Sequence, residues 1–160
     1  MKLLISIGFI IILIFVQASL FPYFQIFNTF PNLILIGVLI ISILKNYKKS
    51  LIWIFLGGWL LDIYSFNNPL GISILSLLCI SYFANFLTTN IFKKFNFLSL
   101  VLICTGCSLF YRVSLMLGYL LNTGEIRINL IQVFVQIIYN LAVFLPIFYL
   151  IRSKIAKISF

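Results

Sequence analysis

Apolar residues fall into six runs along the chain, each broken by a short polar or basic segment. The first, residues 3–21, follows Lys2 and gives way to a mixed aromatic stretch containing Pro22 and Pro31 and ending in Asn32. The second occupies 33–44 and reaches 31–46 only if its helix takes in flanking residues. The others are 51–66, 72–92, 97–121 and 129–151, separated by Asn67-Asn68-Pro69-Leu70-Gly71, by Lys93 and Lys94, and by the segment from Asn122 to Arg127. A membrane-crossing helix needs about 20 apolar residues. The pattern therefore predicts one domain over residues 1–160, an all-α integral membrane protein built as a bundle of six transmembrane helices. The first run is expected to persist as a helix, because it is longer than a signal-peptide core and no clear small-x-small cleavage site follows it.

Composition agrees with that pattern: 64% of residues are hydrophobic and 8% charged, against roughly half and a quarter in soluble domains. Mean hydropathy is +1.24. With no histidine, two acids and three cysteines, the side chains needed for a zinc site, a Ser/His/Asp triad or a disulfide framework are missing. No cofactor, metal or enzymatic activity is expected. The net charge of +9 would suggest nucleic acid in a soluble protein, but cytoplasmic loops of membrane proteins collect Lys and Arg, so no nucleic-acid partner is expected. With both termini in the cytoplasm, Lys2, Lys45, Lys48, Lys49, Lys93, Lys94, Arg152, Lys154 and Lys157 lie inside. Arg127 falls in an outer loop and Arg112 within the fifth run. The reverse orientation inverts that balance.

A charge at the bilayer centre costs at least about 2.5–3.5 kcal/mol, so intramembrane ions usually face a protein interior and find partners. Asp62 and Arg112 are such residues. At helical rise they lie about 17 Å and about 24 Å from the cytoplasmic starts of their spans, close enough for a long Arg side chain to reach, and they are expected to pair. Polar side chains also recur at helical spacing: Asn129, Gln132, Gln136 and Asn140 in the sixth run, Cys104, Ser108 and Arg112 in the fifth, Ser81, Asn85 and Thr88 in the fourth. Such stripes serve as interhelical hydrogen-bond glue. Alternatively, those of the fifth and sixth runs, with Asp62, line an outward-facing polar cavity. The C-x-x-C spacing of Cys104 and Cys107 reads as packing, since mid-membrane cysteines lack the water access that redox chemistry needs. Ser114 and Gly118 form a small-xxx-small pair, and Tyr47, Trp53 and Tyr149 are expected as interfacial anchors.

The most specific segment is Gly57-Gly58-Trp59-Leu60-Leu61-Asp62-Ile63-Tyr64-Ser65, followed by the turn through Pro69, Leu70 and Gly71. Gly58 and Asp62 are four apart on one helix face, so a close-approach surface carries a buried acid. This segment resembles the MreD family of bacterial rod-shape-determining membrane proteins, whose hallmark is a glycine-containing helix ending in G-L-L-x-D, a following Ser, and a short turn with P-L-G. Pro31-Asn32 stands where that family commonly has Pro-Asp. The resemblance implies a non-catalytic scaffold of the cell-elongation complex in the bacterial cytoplasmic (inner) membrane. Such a scaffold binds the single-span protein MreC and works indirectly with MreB, RodA and a penicillin-binding transpeptidase in peptidoglycan synthesis. Carried over by position, Gly58, Asp62, Ser65, Pro69 and Gly71 are the motif residues of the partner-binding bundle. Asp62, Arg112, Gln132, Gln136 and Asn140 are expected as a buried polar network.

A rival reading is the substrate-binding subunit of an energy-coupling vitamin transporter, a class of similar size and span number whose fold the MreD family is thought to resemble. Those subunits resemble one another in Ala-rich docking patches on the first helix, whereas this first run offers only Gly8, Ala18 and Ser19 among bulky residues.

Overall fold

Uninterrupted runs of Leu, Ile and Phe bounded by Asn, Pro and Gly leave the backbone one economical way to satisfy its own polar groups, which is to coil. The computed structural model describes residues 2–19, 21–27, 29–44, 47–64, 69–92, 96–124 and 129–158 and is all-helical. Its helices are α1 (Lys2–Ser19), α2 (Leu33–Leu44), α3 (Tyr47–Tyr64), α4 (Ile72–Phe86), α5 (Phe97–Thr123) and α6 (Leu130–Ile158). A π-helical turn, Leu87–Ile91, prolongs α4, and Gly124 ends α5 in the left-handed conformation at φ 72°, its N–H donating to the Leu120 carbonyl at 2.8 Å. Among the described residues, three helical stretches are long and apolar enough to cross a membrane: Ile72–Ile91, Phe97–Thr123 and Leu130–Ser153. Three shorter apolar helical stretches accompany them: Ile7–Ser19, Leu33–Leu44 and Ser50–Tyr64.

Helix α2 is the core element. Ile34, Leu35, Ile36, Val38, Leu39, Ile40, Ser42 and Ile43 are all buried, and the helix packs against α1, α3, α4 and α6. Helix α3 also packs on α1 and α4, α4 on α5, and α5 on α6. Two adjacent glycines let α3 serve two neighbours at once. A Cβ at Gly57 would meet the Ile34 side chain of α2 at 2.6 Å, and one at Gly58 would meet the backbone of Ile74 in α4 at 3.0 Å. Outward faces are as apolar as the core: Phe15, Leu75, Leu98, Leu121, Phe134 and Leu150 are all exposed. Helices that are apolar all round suit a lipid environment.

One expectation changes. The second span was expected over 31–46, but α2 has only 12 residues, about 18 Å of rise, too short to cross the hydrocarbon layer alone. Between α1 and α2 the described residues are not helical beyond the short 3₁₀ turn Phe21–Phe24. It then forms a tight turn in which Ile26 and Thr29 exchange backbone hydrogen bonds at 3.2 and 3.0 Å and Phe27 takes φ 51°. Trp53, expected as an interfacial anchor, is half-buried and packs against the core. Its ring stacks at a tilt against Phe9, with centroids 5.8 Å apart, and lies where a Cβ on Gly37 would sit, at 2.6 Å. Glycine at 37 lets the indole reach α2.

Candidate functional site

Asp62 lies near the end of α3 with 2% of its surface exposed. Its Oδ2 accepts the Gly71 N–H at 2.7 Å and its Oδ1 accepts the Ser73 N–H at 3.0 Å. These are donors at the start of α4, which no α-helix satisfies internally. The N-cap residue Gly71 has no side chain to cap with, so the carboxylate of the preceding helix does so. The partial positive charge of the helix start stabilises the anion there. Gly71 is at φ 101°, a conformation that disfavours any residue with a Cβ, and the Pro69 carbonyl accepts the Ile72 N–H at 3.5 Å. Gly58, Asp62, Pro69 and Gly71 therefore belong to one clamped hairpin. Ser65 lies outside the described residues.

The expected Asp62 and Arg112 pair does not form, for a physical reason. The carboxylate is directed at the start of α4, each oxygen accepting a backbone N–H there, and Arg112 turns to α6, where its Nη2 donates to Gln132 Oε1 at 3.1 Å. Tyr111, the neighbour of Arg112 in the chain, is buried in the core with its hydroxyl 3.2 Å from Ser73 Oγ.

The polar stripe of α6 divides into four tasks. Asn129 Oδ1 accepts the Ile131 N–H at 3.1 Å and caps the helix, Gln132 receives Arg112, Gln136 faces a cavity, and Asn140 is completely buried. Asn140 Nδ2 donates to Ser108 Oγ at 3.1 Å, while its Oδ1 accepts the backbone N–H of Asn32 at 2.9 Å. Asn32 Oδ1 in turn caps α2 by accepting the Leu35 N–H at 3.0 Å, and Gln17 Oε1 of α1 accepts the Leu33 N–H at 3.0 Å. The start of α2 is thus closed inside the protein by side chains from α1, α6 and its own cap. Non-helical backbone at membrane depth is tolerated only where protein supplies such partners.

These residues border a cavity of about 170 Å³ lined by Gln17, Thr29, Asn32, Tyr64, Arg112 and Gln136 together with Phe30, Leu61, Tyr111 and Leu115. Of the stripes of the fifth and sixth runs only Arg112 and Gln136 line this cavity; Cys104, Ser108, Asn129, Gln132, Asn140 and Asp62, expected with them, do not. Sequence reasoning missed Gln17, Thr29 and Tyr111 as part of this region. The signal available was their position: Gln17 is an isolated amide in an otherwise apolar run, a costly placement that asks for a partner.

A second polar cluster sits toward the other end of the core. Ser81 Oγ of α4 lies 2.8 Å from Ser42 Oγ of α2 and 2.6 Å from Ser50 Oγ of α3, so the fourth-run stripe does glue helices at Ser81. Thr88 instead bonds its own helix at the Asn85 carbonyl. Cys104 and Cys107 are free thiols buried in α5, and Gly118 is the point where α5 meets the Ile72 side chain of α4. Comparison of the chain with protein-family models, curated proteins and solved structures finds no match.

Proposed function

We propose that this chain is a non-catalytic membrane scaffold of the MreD type, crossing the bacterial inner membrane with both termini in the cytoplasm and holding a single-span MreC-like partner. The observation that carries this reading is the use of Asp62. The one acid in the Gly58-Trp59-Leu60-Leu61-Asp62 segment is consumed in fastening α3 to α4, which fits an element whose task is to present a fixed helical surface. Helix association in lipid depends on close packing and polar contacts, and the Gly57, Gly58 and Asp62 hairpin supplies both. Six spans are counted by letting the non-helical segment before Leu33 complete the second crossing under protein cover, as its buried partners permit. Basic inner loops then face the cytoskeleton or anionic lipid.

The test is a mild-detergent pull-down from native membranes followed by mass spectrometry. An MreC-like single-span protein with cell-wall synthases is the expected harvest. A membrane coupling subunit with paired ATPases would overturn the scaffold and make the chain a small-molecule importer subunit.

A further inference from the structure

The cavity beside α2 holds an imbalance. Arg112 and Gln136 line it together, and each retains one buried polar atom without a hydrogen-bond partner, Nε of Arg112 and Oε1 of Gln136. Gln136 is only 8% exposed. An unpaired buried donor or acceptor costs about 1–3 kcal/mol, more for a charged group, so native structures seldom leave two on one cavity wall without a use for them. The guanidinium also lacks a counter-charge among the described residues: it donates to the neutral Gln132, and the Asp62 carboxylate is directed at the start of α4.

We propose that this cavity binds a phosphate ester bearing a free hydroxyl, the anionic oxygen accepting from Arg112 and the hydroxyl donating to Gln136 Oε1. The leftover donor carries positive charge and the other leftover atom is an acceptor, so a ligand that satisfies both offers an anionic acceptor and a donor in one small group. Guanidinium geometry favours a phosphate oxygen pair. The cavity, about 170 Å³, has room for a group the size of a glycerol phosphate. Leu61 and Leu115 in the same wall suit the carbon skeleton. That chemistry occurs both in the headgroup of phosphatidylglycerol and in free glycerol phosphate. The proposal does not depend on the scaffold reading.

The experiment is native mass spectrometry of the purified full chain from neutral detergent, doped in turn with phosphatidylglycerol, phosphatidylcholine and glycerol 1-phosphate. One tightly held phosphatidylglycerol or glycerol phosphate per chain is expected, with at least ten-fold weaker retention in Gln136→Leu and in Arg112→Gln. Displacement of the lipid by glycerol phosphate identifies the soluble ligand; lipid binding without displacement identifies the headgroup. Should a variant not fold, Arg112→Lys and the wild-type preference for phosphatidylglycerol over phosphatidylcholine carry the test. Equal retention of the two lipids with no glycerol phosphate bound, or undiminished binding in folded Gln136→Leu, overturns the proposal.

Discussion

Asn140, buried in the middle of α6, accepts the backbone N–H of Asn32 at 2.9 Å across 108 residues of sequence. A single side chain thus fixes where α2 begins, and through its other end, bonded to Ser108, it fixes α5 against α6. Replacing it by Leu leaves the Asn32 N–H unpaired in the core. We expect Asn140→Leu to lose about 1–3 kcal/mol of stability, measured by mixed-micelle denaturation. A loss no larger than that of an exposed control such as Leu130→Ala would show that the contact contributes little.

Asp62 should separate two effects. Asp62→Asn keeps one acceptor oxygen for the start of α4 and gives up the charge, and is expected to cost roughly 1–2 kcal/mol. Asp62→Leu strands both the Gly71 and Ser73 N–H groups and should cost clearly more, while insertion into the membrane continues. Equal unfolding midpoints for the two variants would mean that the backbone clamp is not what the carboxylate contributes.

Glycines along α3 and α5 differ in what surrounds them. A methyl at Gly58 would press on the backbone of Ile74, which cannot rotate away, whereas Gly106 has nothing within 4 Å. Gly58→Ala is expected to destabilise by about 1–3 kcal/mol as overpacking, and Gly106→Ala to be neutral or slightly stabilising through helix propensity. A reversed order in thermal denaturation would refute the close α3 and α4 contact. At Gly118 the obstacle is the Ile72 side chain, so a double variant Gly118→Ala with Ile72→Val should recover part of the single-variant loss.

The serine cluster offers a milder test. Ser81→Ala removes the shared partner of Ser42 and Ser50. Ser42 retains its bond to the Val38 carbonyl at 2.7 Å, so the cost should stay near the ~0.6 kcal/mol typical of hydrogen bonds between membrane helices. A loss above about 2 kcal/mol, read in the same micelle titration, would show that the three hydroxyls act as one cooperative unit.

Helix positions were readable in the sequence because apolar run length and flanking Asn, Gly and Pro are local signals. The hairpin was readable too, since Gly58 and Asp62 at four-residue spacing and Gly71 after a proline are local. The partner of Asp62 was not. Matching opposite charges pointed to Arg112, but a buried carboxylate is satisfied equally well by free N–H groups at a helix start, and these carry no side-chain signature in the sequence. The length of α2 escaped for a related reason. Its beginning is set by Gln17 and Asn140, residues 16 and 108 positions distant from those they hold, and hydropathy has no access to such pairings.

The closed start of α2 also imposes an order on biosynthesis. Emerging chain delivers Gln17 and Asn32 early, yet the amide that completes the closure arrives only after α6 has been made. Until then α2 holds an open polar end within an apolar environment, so the first five helices form a provisional assembly that the last one locks. A chain stopped after Gly124 should accordingly expose the segment around Asn32 to protease in reconstituted membranes, and supplying α6 as a separate peptide should restore its protection.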